Sequence, residues 1–292
     1  MQKRETAATA PESPSPLHKK AVYSVGPPVA AIVPAGQCAL GEEWTECPLL
    51  SAVSVSHDTR VFTFGLSDSD KPLNLSTCAC ILACGGKDEE GNPVVRPYTP
   101  VSTNAMVGKF ELMVKVYAEG KLTQHMDKMA VGDCLKFKHI SFNVKLQYPF
   151  NGRTKFGLIC GGTGITPMVQ ALHALLGTPG GEQTAAMLVG NRSQRDILAK
   201  ETLDDWGASH AGRLAVTHVL SQEPEDSSWA GATGHINKAL VVEHMPAPSE
   251  QTMILVCGPP PMYGALCGPR TEPEVTGILA ELGYDKEQVF KF

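Results

Sequence analysis

The nine cysteines of this 292-residue chain form no C-x-x-C pair and follow no regular spacing. They read as packing residues of a protein in a reducing compartment. Cys78 and Cys80 lie two apart in an apolar run, which in a strand puts both on one face. No H-x-x-x-H or H-x-x-E-H grouping occurs among the nine histidines, so no metal site is expected. An excess of positive charge is missing too: 25 Lys and Arg stand against 30 Asp and Glu, a formal net charge of -5. That balance argues against binding nucleic acid. There is also no long unbroken apolar run. Ala21 to Leu40 is uncharged and follows Lys19-Lys20, but it contains Pro27, Pro28, Pro34, two glycines and Gln37. A spanning helix needs roughly 20 predominantly apolar residues, and no secretory signal is visible. Residues 1–43 therefore read as a flexible tail that serves at most as a targeting segment or peripheral membrane anchor.

What is present is enough apolar content, 42%, and enough length for two domains, each with its own core. Charge divides unevenly between them. From Trp44 to Lys155 there are 13 basic and 11 acidic residues; from Phe156 onward there are 8 and 15. A mildly basic front half on an acidic protein points to an anionic partner for that half.

The first region, about 44–150, is strand-rich. Phe110, Leu112, Val114 and Val116 alternate with less apolar neighbours, Leu75 to Cys84 is nearly continuously apolar, and Val94 to Val101 is a further strand candidate. One short helix, about Leu122 to Met129, interrupts them. The pattern predicts a small antiparallel β-barrel. After Asn151-Gly152, strands at Lys155–Cys160, Ala185–Gly190, Leu214–Leu220 and Thr252–Cys257 alternate with helices at Pro167–Leu176, Asp196–Trp206 and Ile236–Glu243. Such alternation predicts a parallel sheet wrapped by helices over 151–292, ending in a strand at Gln288–Phe292.

Three motifs carry chemistry. Gly161-Gly162-Thr163-Gly164-Ile165-Thr166-Pro167 directly follows a strand. Its glycines allow close backbone approach, and a helix begun there offers free N–H groups to a pyrophosphate. Cys257-Gly258-Pro259-Pro260-Pro261-Met262 follows another strand, and ligands of open parallel sheets lie beyond such strand ends. In Arg96-Pro97-Tyr98-Thr99-Pro100-Val101-Ser102, Arg96 presents a planar fork of donors and Tyr98 a flat ring on the same strand face. Taken singly, each also fits an ordinary turn, a buried thiol or an exposed strand pair.

Taken together, the sequence resembles the NADH–cytochrome b5 reductases, within the ferredoxin reductase-like flavoproteins, from about Trp44 to Phe292, and looks closest to plant and algal forms. The resemblance implies FAD in the barrel and NADH in the α/β domain. Onto the flavin motif fall Arg96 at the pyrophosphate, Pro97, Tyr98 against the isoalloxazine and Thr99 near its polar edge. Met113 to Tyr117 matches the flavin-lining strand, including Lys115, where the family has a lysine implicated in NADH use. Gly120-Lys121-Leu122-Thr123 matches the second phosphate loop, with Leu122 for the usual Met and Thr123 for Ser. Thr166 matches the threonine near the flavin ring. Gly161, Gly162, Gly164 and Pro167, with Cys257, Gly258, Pro259, Pro260 and Met262, match the NADH site; Thr166, Cys257 and Lys115 are the candidates closest to the chemistry.

Two positions depart from the family. Ser221, in Val219-Leu220-Ser221-Gln222-Glu223, stands where an acid often accepts from the adenosine ribose. No base follows it, so NADH is expected over NADPH, by a reduced margin. His139-Ile-Ser-Phe-Asn143 lacks the usual Gly-Pro turn between domains. His57-Asp58 fits a turn between strands rather than a catalytic dyad, and Lys128, Lys136, Lys138 and Lys145 fit either a solvated surface or an acceptor-docking face. The expected activity is hydride transfer from NADH to FAD, then single-electron transfer to cytochrome b5 or a similar acidic haem protein. NADPH, a nitrate-reductase-like or ferredoxin acceptor, or a non-catalytic flavin-bound scaffold are the alternatives. A monomer is expected, intracellular and associated with a mitochondrial or endoplasmic-reticulum membrane.

Overall fold

The computed structural model describes residues 25–292. Six strands, β1 (Thr45–Ser54), β2 (Thr59–Gly65), β3 (Ile81–Lys87), β4 (Pro93–Tyr98), β5 (Lys109–Lys115) and β6 (Cys134–Lys138), form an antiparallel sheet in the order β4-β3-β6-β1-β2-β5. In a flat sheet β5 and β6 would lie roughly 14 Å apart, three strand spacings. Yet the rings of Phe110 on β5 and Phe137 on β6 meet edge to face at 5.1 Å. The sheet therefore curls on itself into a half-barrel, and all six strands feed one core that includes Leu49, Phe62, Ile81, Val94, Phe110 and Phe137. The short helix α1 (Lys121–Asp127) packs Leu122 and Met126 into that core.

The second sheet is wholly parallel, in the order β10-β9-β8-β7-β11-β12. It comprises β7 (Lys155–Gly161), β8 (Thr184–Asn191), β9 (Leu214–Leu220), β10 (Ala232–Thr233), β11 (Thr252–Cys257) and β12 (Val289–Lys291). Five helices cover it: α2 (Ile165–Gly177), α3 (Lys200–Ser209), α4 (Lys238–His244), α5 (Pro260–Leu266) and α6 (Gly277–Glu281). Side chains alternate between its faces, as strand geometry requires. Leu158 and Cys160 pack with α2 and α3, while Ile159 packs with α4, α5 and α6. Burial on both faces is why these strands read as continuous apolar runs.

The half-barrel and the α/β domain do not close separately. Val61, Cys78, Val101 and Met113 of the first share one core with Ile165, Met168 and Val169 of α2. This shared core explains a difference from the sequence expectation. Leu75 to Cys84 is apolar because Leu75 and Ala79 fill the half-barrel core and Cys78 the shared one, while the strand begins only at Ile81. Cys78 has φ +60 and lies in the preceding loop, so Cys78 and Cys80 share no strand. The expected helix from Asp196 is also displaced. Asp196 closes a capping box with Ser193, Ala199 takes a left-handed conformation, and α3 starts at Lys200. Neither α5 nor α6 was anticipated, although Pro260 and Pro261 occupy the first helical positions, which proline favours.

Residues 25–43, expected as part of a flexible tail, instead form a strap across both domains. Gly26 accepts from the Trp206 indole at 2.7 Å, the Val29 amide donates to His173 Nδ1 at 3.0 Å, and Ala31 accepts from Asn104 at 3.0 Å. Ala39 and Gly41 then bond to Leu73 and His139 of the half-barrel. No helix among the described residues is long and apolar enough to cross a membrane. The part of the proposed tail before Val25 lies outside the described residues.

His173 makes the strap sensitive to acid. Burial lowers its pKa from 6.5 to about 4, and its unprotonated Nδ1 is the acceptor Val29 requires. Between those values the unfolded chain binds a proton that the native imidazole refuses, so stability falls as pH drops from 6.5 towards 4. In His173→Gln, which keeps an acceptor but does not titrate, the loss measured by chemical unfolding should be shallower by up to about 1.4 kcal/mol per pH unit.

Candidate functional site

The chain runs β7, β8, β9, β10 towards one edge of the parallel sheet, then returns to place β11 on the other side of β7. The crevice where strand order reverses is the usual ligand position in such sheets. Both glycine motifs end there, since β7 and β11 pair in register from Thr252 opposite Lys155 to Cys257 opposite Cys160. Gly162 to Gly164 form a tight turn leading into α2, with Thr166 and Pro167 in its first turn. A side chain at Gly164 would strike the Cys257 carbonyl, so that glycine lets the two turns touch. Gly162 has φ +53 and nothing within 4 Å of where a Cβ would lie, which leaves an open cradle beside the turn. Met262, on α5, lies over Gly161 and Gly258, where Cβ atoms would approach its sulfur to 3.0 and 2.6 Å. Pro259 caps α5 and Pro260 begins it.

Cys257 is not an activated nucleophile. Burial pushes its thiol up to about 11, against a smaller downward pull from a Tyr263 hydrogen bond. Burial raises Cys78 and Cys160 likewise. All three stay protonated at neutral pH.

In the half-barrel, Arg96, Pro97 and Tyr98 lie on β4, an edge strand where proline is tolerated. Arg96 is exposed and bonds to the Val95 carbonyl at 2.8 Å. Burial raises the Tyr98 hydroxyl to about 12; Arg96 lowers it and Tyr117 raises it, which places the three side chains in one electrostatic neighbourhood. Thr99 is half-buried just beyond the strand. Gly120 caps α1, where Thr123 Oγ1 donates to the Gly120 carbonyl at 3.0 Å and accepts from the Tyr117 amide at 3.3 Å. The first N–H groups of α1 have no partner inside the helix. Lys121 is exposed there, whereas Leu122, 2% exposed, belongs to the barrel core. Met113, 3% exposed, packs between the domains. Leu122 and Met113 thus offer backbone, not side chain, to any ligand on these strands.

Lys115 is held in an ionic cluster that spans the two domains. Its ammonium lies 2.7 Å from Asp58 and 3.7 Å from Asp196, and His57 lies 3.4 and 3.7 Å from the same carboxylates. Burial pushes the Asp58 carboxyl up, but the hydrogen bond and charge of Lys115 outweigh it and hold the group below its ordinary value. His57, Asp58 and Asp196 are close enough to share a cation, and the Lys115 ammonium already serves as that cation. His57-Asp58 does occupy the β1–β2 turn, yet it also borders an open cleft of about 480 Å³ at the ends of β8 and β9. Arg192 and Arg195 line this cleft beside Gln222 and Glu223. Reading only forward from Ser221 missed these two bases, because they come from the neighbouring strand end.

An antiparallel half-barrel followed by a parallel α/β sheet with a glycine-lined crevice is the fold of the ferredoxin reductase-like flavoprotein oxidoreductases. Family models agree: an oxidoreductase FAD-binding domain matches residues 46–144 and an oxidoreductase NAD-binding domain matches residues 158–268. NADH-cytochrome b5 reductase 2 of Scheffersomyces stipitis is 38% identical over 256 residues, covering 86% of this chain and 84% of that protein. An NADH-cytochrome b5 reductase-like protein of Arabidopsis thaliana is 37% identical, with 86% and 77% covered. The cytochrome b5 reductase domain of Ulva prolifera nitrate reductase superposes with a TM-score of 0.76 at 26% identity, covering 87% of this chain and all of that one. The chain belongs to the NADH–cytochrome b5 reductases and is a flavin-dependent NADH oxidoreductase. Fungal and plant relatives match to nearly the same degree, so the likeness does not single out plant or algal forms.

The exposed Arg96 guanidinium, with no carboxylate paired to it among the described residues, gives a direct test. Arg96→Ala should weaken FAD affinity by about 1.5–3 kcal/mol, as for loss of a charge-assisted phosphate contact. Flavin content after purification and titration of the stripped protein measure it.

Proposed function

We propose that the chain passes electrons from NADH through FAD, one at a time, to cytochrome b5 or a similar haem protein with an acidic face. The observation that carries this reading is the charge of the half-barrel side. Between Lys109 and Phe150 seven basic residues stand against four acidic ones, and Lys121, Lys128, Lys136 and Lys145 are exposed. The names of the relatives favour the same acceptor.

When bound, FAD supplies the conversion between two-electron and one-electron transfer. Arg96 and the start of α1 at Gly120 to Thr123 would hold its pyrophosphate, and Tyr98 and Thr99 would serve its isoalloxazine. These residues fit that group: among the described residues no carboxylate pairs with the guanidinium and no side chain caps the start of α1. Gly161 to Pro167 and Cys257 to Met262 hold NADH, for which Gly162 leaves room. Thr166, in the first turn of α2, would serve the flavin side of this site, and Lys115, held by Asp58 and Asp196, would serve the nicotinamide nucleotide. No side chain needs to act as acid or base; the residues bind, align and exclude water.

A nitrate-reductase-type acceptor is the second reading, favoured by the full-length match to the Ulva prolifera domain. The proposal further includes a monomer and an intracellular membrane association, at mitochondrion or endoplasmic reticulum, through residues before the strap. Pelleting with membranes of the full chain, but not of a chain lacking residues 1–24, supports the anchor.

Docking by exposed lysines predicts that cytochrome b5 reduction slows with added salt, since such charges are screened over about 10 Å at 0.1 M. Lys128 is the clean probe. Lys138 is half-buried with its ammonium 4.8 Å over the Trp44 ring, so reversing it also removes that contact. Lys128→Glu should slow cytochrome b5 reduction several-fold while ferricyanide reduction changes less; equal effects on both acceptors place docking elsewhere.

Cofactor choice turns on Ser221, tied through its amide and hydroxyl to the Asn191 carbonyl beside Arg192. With Ser221 itself uncharged and Arg192 and Arg195 in the cleft beside Glu223, NADPH is disfavoured only mildly. Ser221→Asp should raise the NADH-to-NADPH ratio of kcat/KM about tenfold, roughly 1.4 kcal/mol.

A further inference from the structure

One face of α2 carries Thr166, Gln170, His173 and Gly177, spaced so that they form a single stripe. His173 and Gly177 lie against the strap. Gln170 reaches the half-barrel, where its amide nitrogen donates to the carbonyls of Pro100 at 2.8 Å and Ser102 at 2.7 Å. A primary amide has two N–H donors, and here both are engaged, which fixes the plane of the side chain.

The two carbonyls lie on the loop that leaves β4 just after Tyr98 and Thr99. That loop is stitched on its other side to β5, where the Val101 amide donates to the Glu111 carbonyl and the Glu111 amide to Ser102 Oγ, both at 2.9 Å. Gln170 therefore grips the loop that links the two strands assigned to the flavin. Five residues before it, α2 begins at the glycine turn assigned to NADH, about 8 Å away along the helix. The apolar core between the domains resists separation but not sliding, because burial is non-directional. Two hydrogen bonds from one planar group do resist sliding.

The geometry points to Gln170 as the positioning residue that sets the nicotinamide turn against the flavin strands, acting through α2 without touching either cofactor. The assignment rests on the proposed placement of FAD and NADH. Hydride transfer is where such a residue shows, since a displacement of about 1 Å can cost about a hundredfold in rate.

Q170M keeps the length of the side chain and removes both donors. In the FAD-loaded full chain, anaerobic stopped-flow mixing with NADH should show the limiting rate of flavin reduction ten- to a hundredfold lower. FAD content should match the parent and the NADH dissociation constant should stay within threefold. Hydrogen–deuterium exchange without NADH should quicken at least tenfold in peptides covering 98–104 and 161–170, but not in β8 or β9. Q170N, with its amide one methylene short, should recover part of the rate. A limiting rate within twofold of the parent in Q170M, unchanged exchange, or Q170N slower than Q170M would overturn the proposal. A parent that takes up no FAD would overturn the functional reading instead. The exchange measurement needs no cofactor and would still decide whether Gln170 is the clamp.

Discussion

The site depends on how closely two neighbouring parallel strands bring their trailing turns together. Gly164 lies so near the Cys257 carbonyl that no side chain fits between them, and Met262 fills the space above Gly161 and Gly258. Each turn alone would be an ordinary end of a strand. In contact, at the point where strand order reverses, they make one floor with open space beside Gly162. A branched residue at Gly164 would therefore damage the floor itself rather than merely block what binds on it.

The same economy of space joins the domains. β5 is buried on both sides: Phe110, Leu112 and Val114 turn into the barrel core, and Met113 turns towards α2. Around that apolar contact lie directional ones of different kinds. Cys78 Sγ lies 3.4 Å from the Pro167 carbonyl, Lys115 bridges to Asp196, and the strap crosses from Trp206 to Asn104. Apolar burial supplies most of the attraction between the halves, while these polar contacts select one arrangement among the many that burial alone would tolerate.

What was legible in the sequence was whatever repeats locally. Alternation in β5, the apolar strands of the parallel sheet, and glycine or proline directly after β7 and β11 all express short-range geometry, and each appears where expected. The same holds for Arg96 and Tyr98 on one strand and for the short helix near Leu122. What escaped was set by partners distant in the chain. Leu75 to Cys84 looks like one strand because a buried loop and a buried strand select the same apolar residues. Asp196 looks like helix until its carboxylate is found spent on Ser193, Lys115 and His57. Arg192 and Arg195 reach the cleft beside Gln222 only because β8 and β9 are neighbours. Met113 and Leu122 match the flavin-lining strand and the phosphate loop, yet their side chains serve the cores behind those elements.

The strap also sets an order of events during synthesis. Gly26 leaves the ribosome 180 residues before Trp206, and Val29 leaves 144 residues before His173. At typical elongation rates the segment waits about 7–36 s for its partners. It then docks on a surface that exists only once α2 and α3 have packed on the parallel sheet. A segment made early thus waits for partners made much later, so that closing the strap reports that the half-barrel and the helices α2 and α3 are in place.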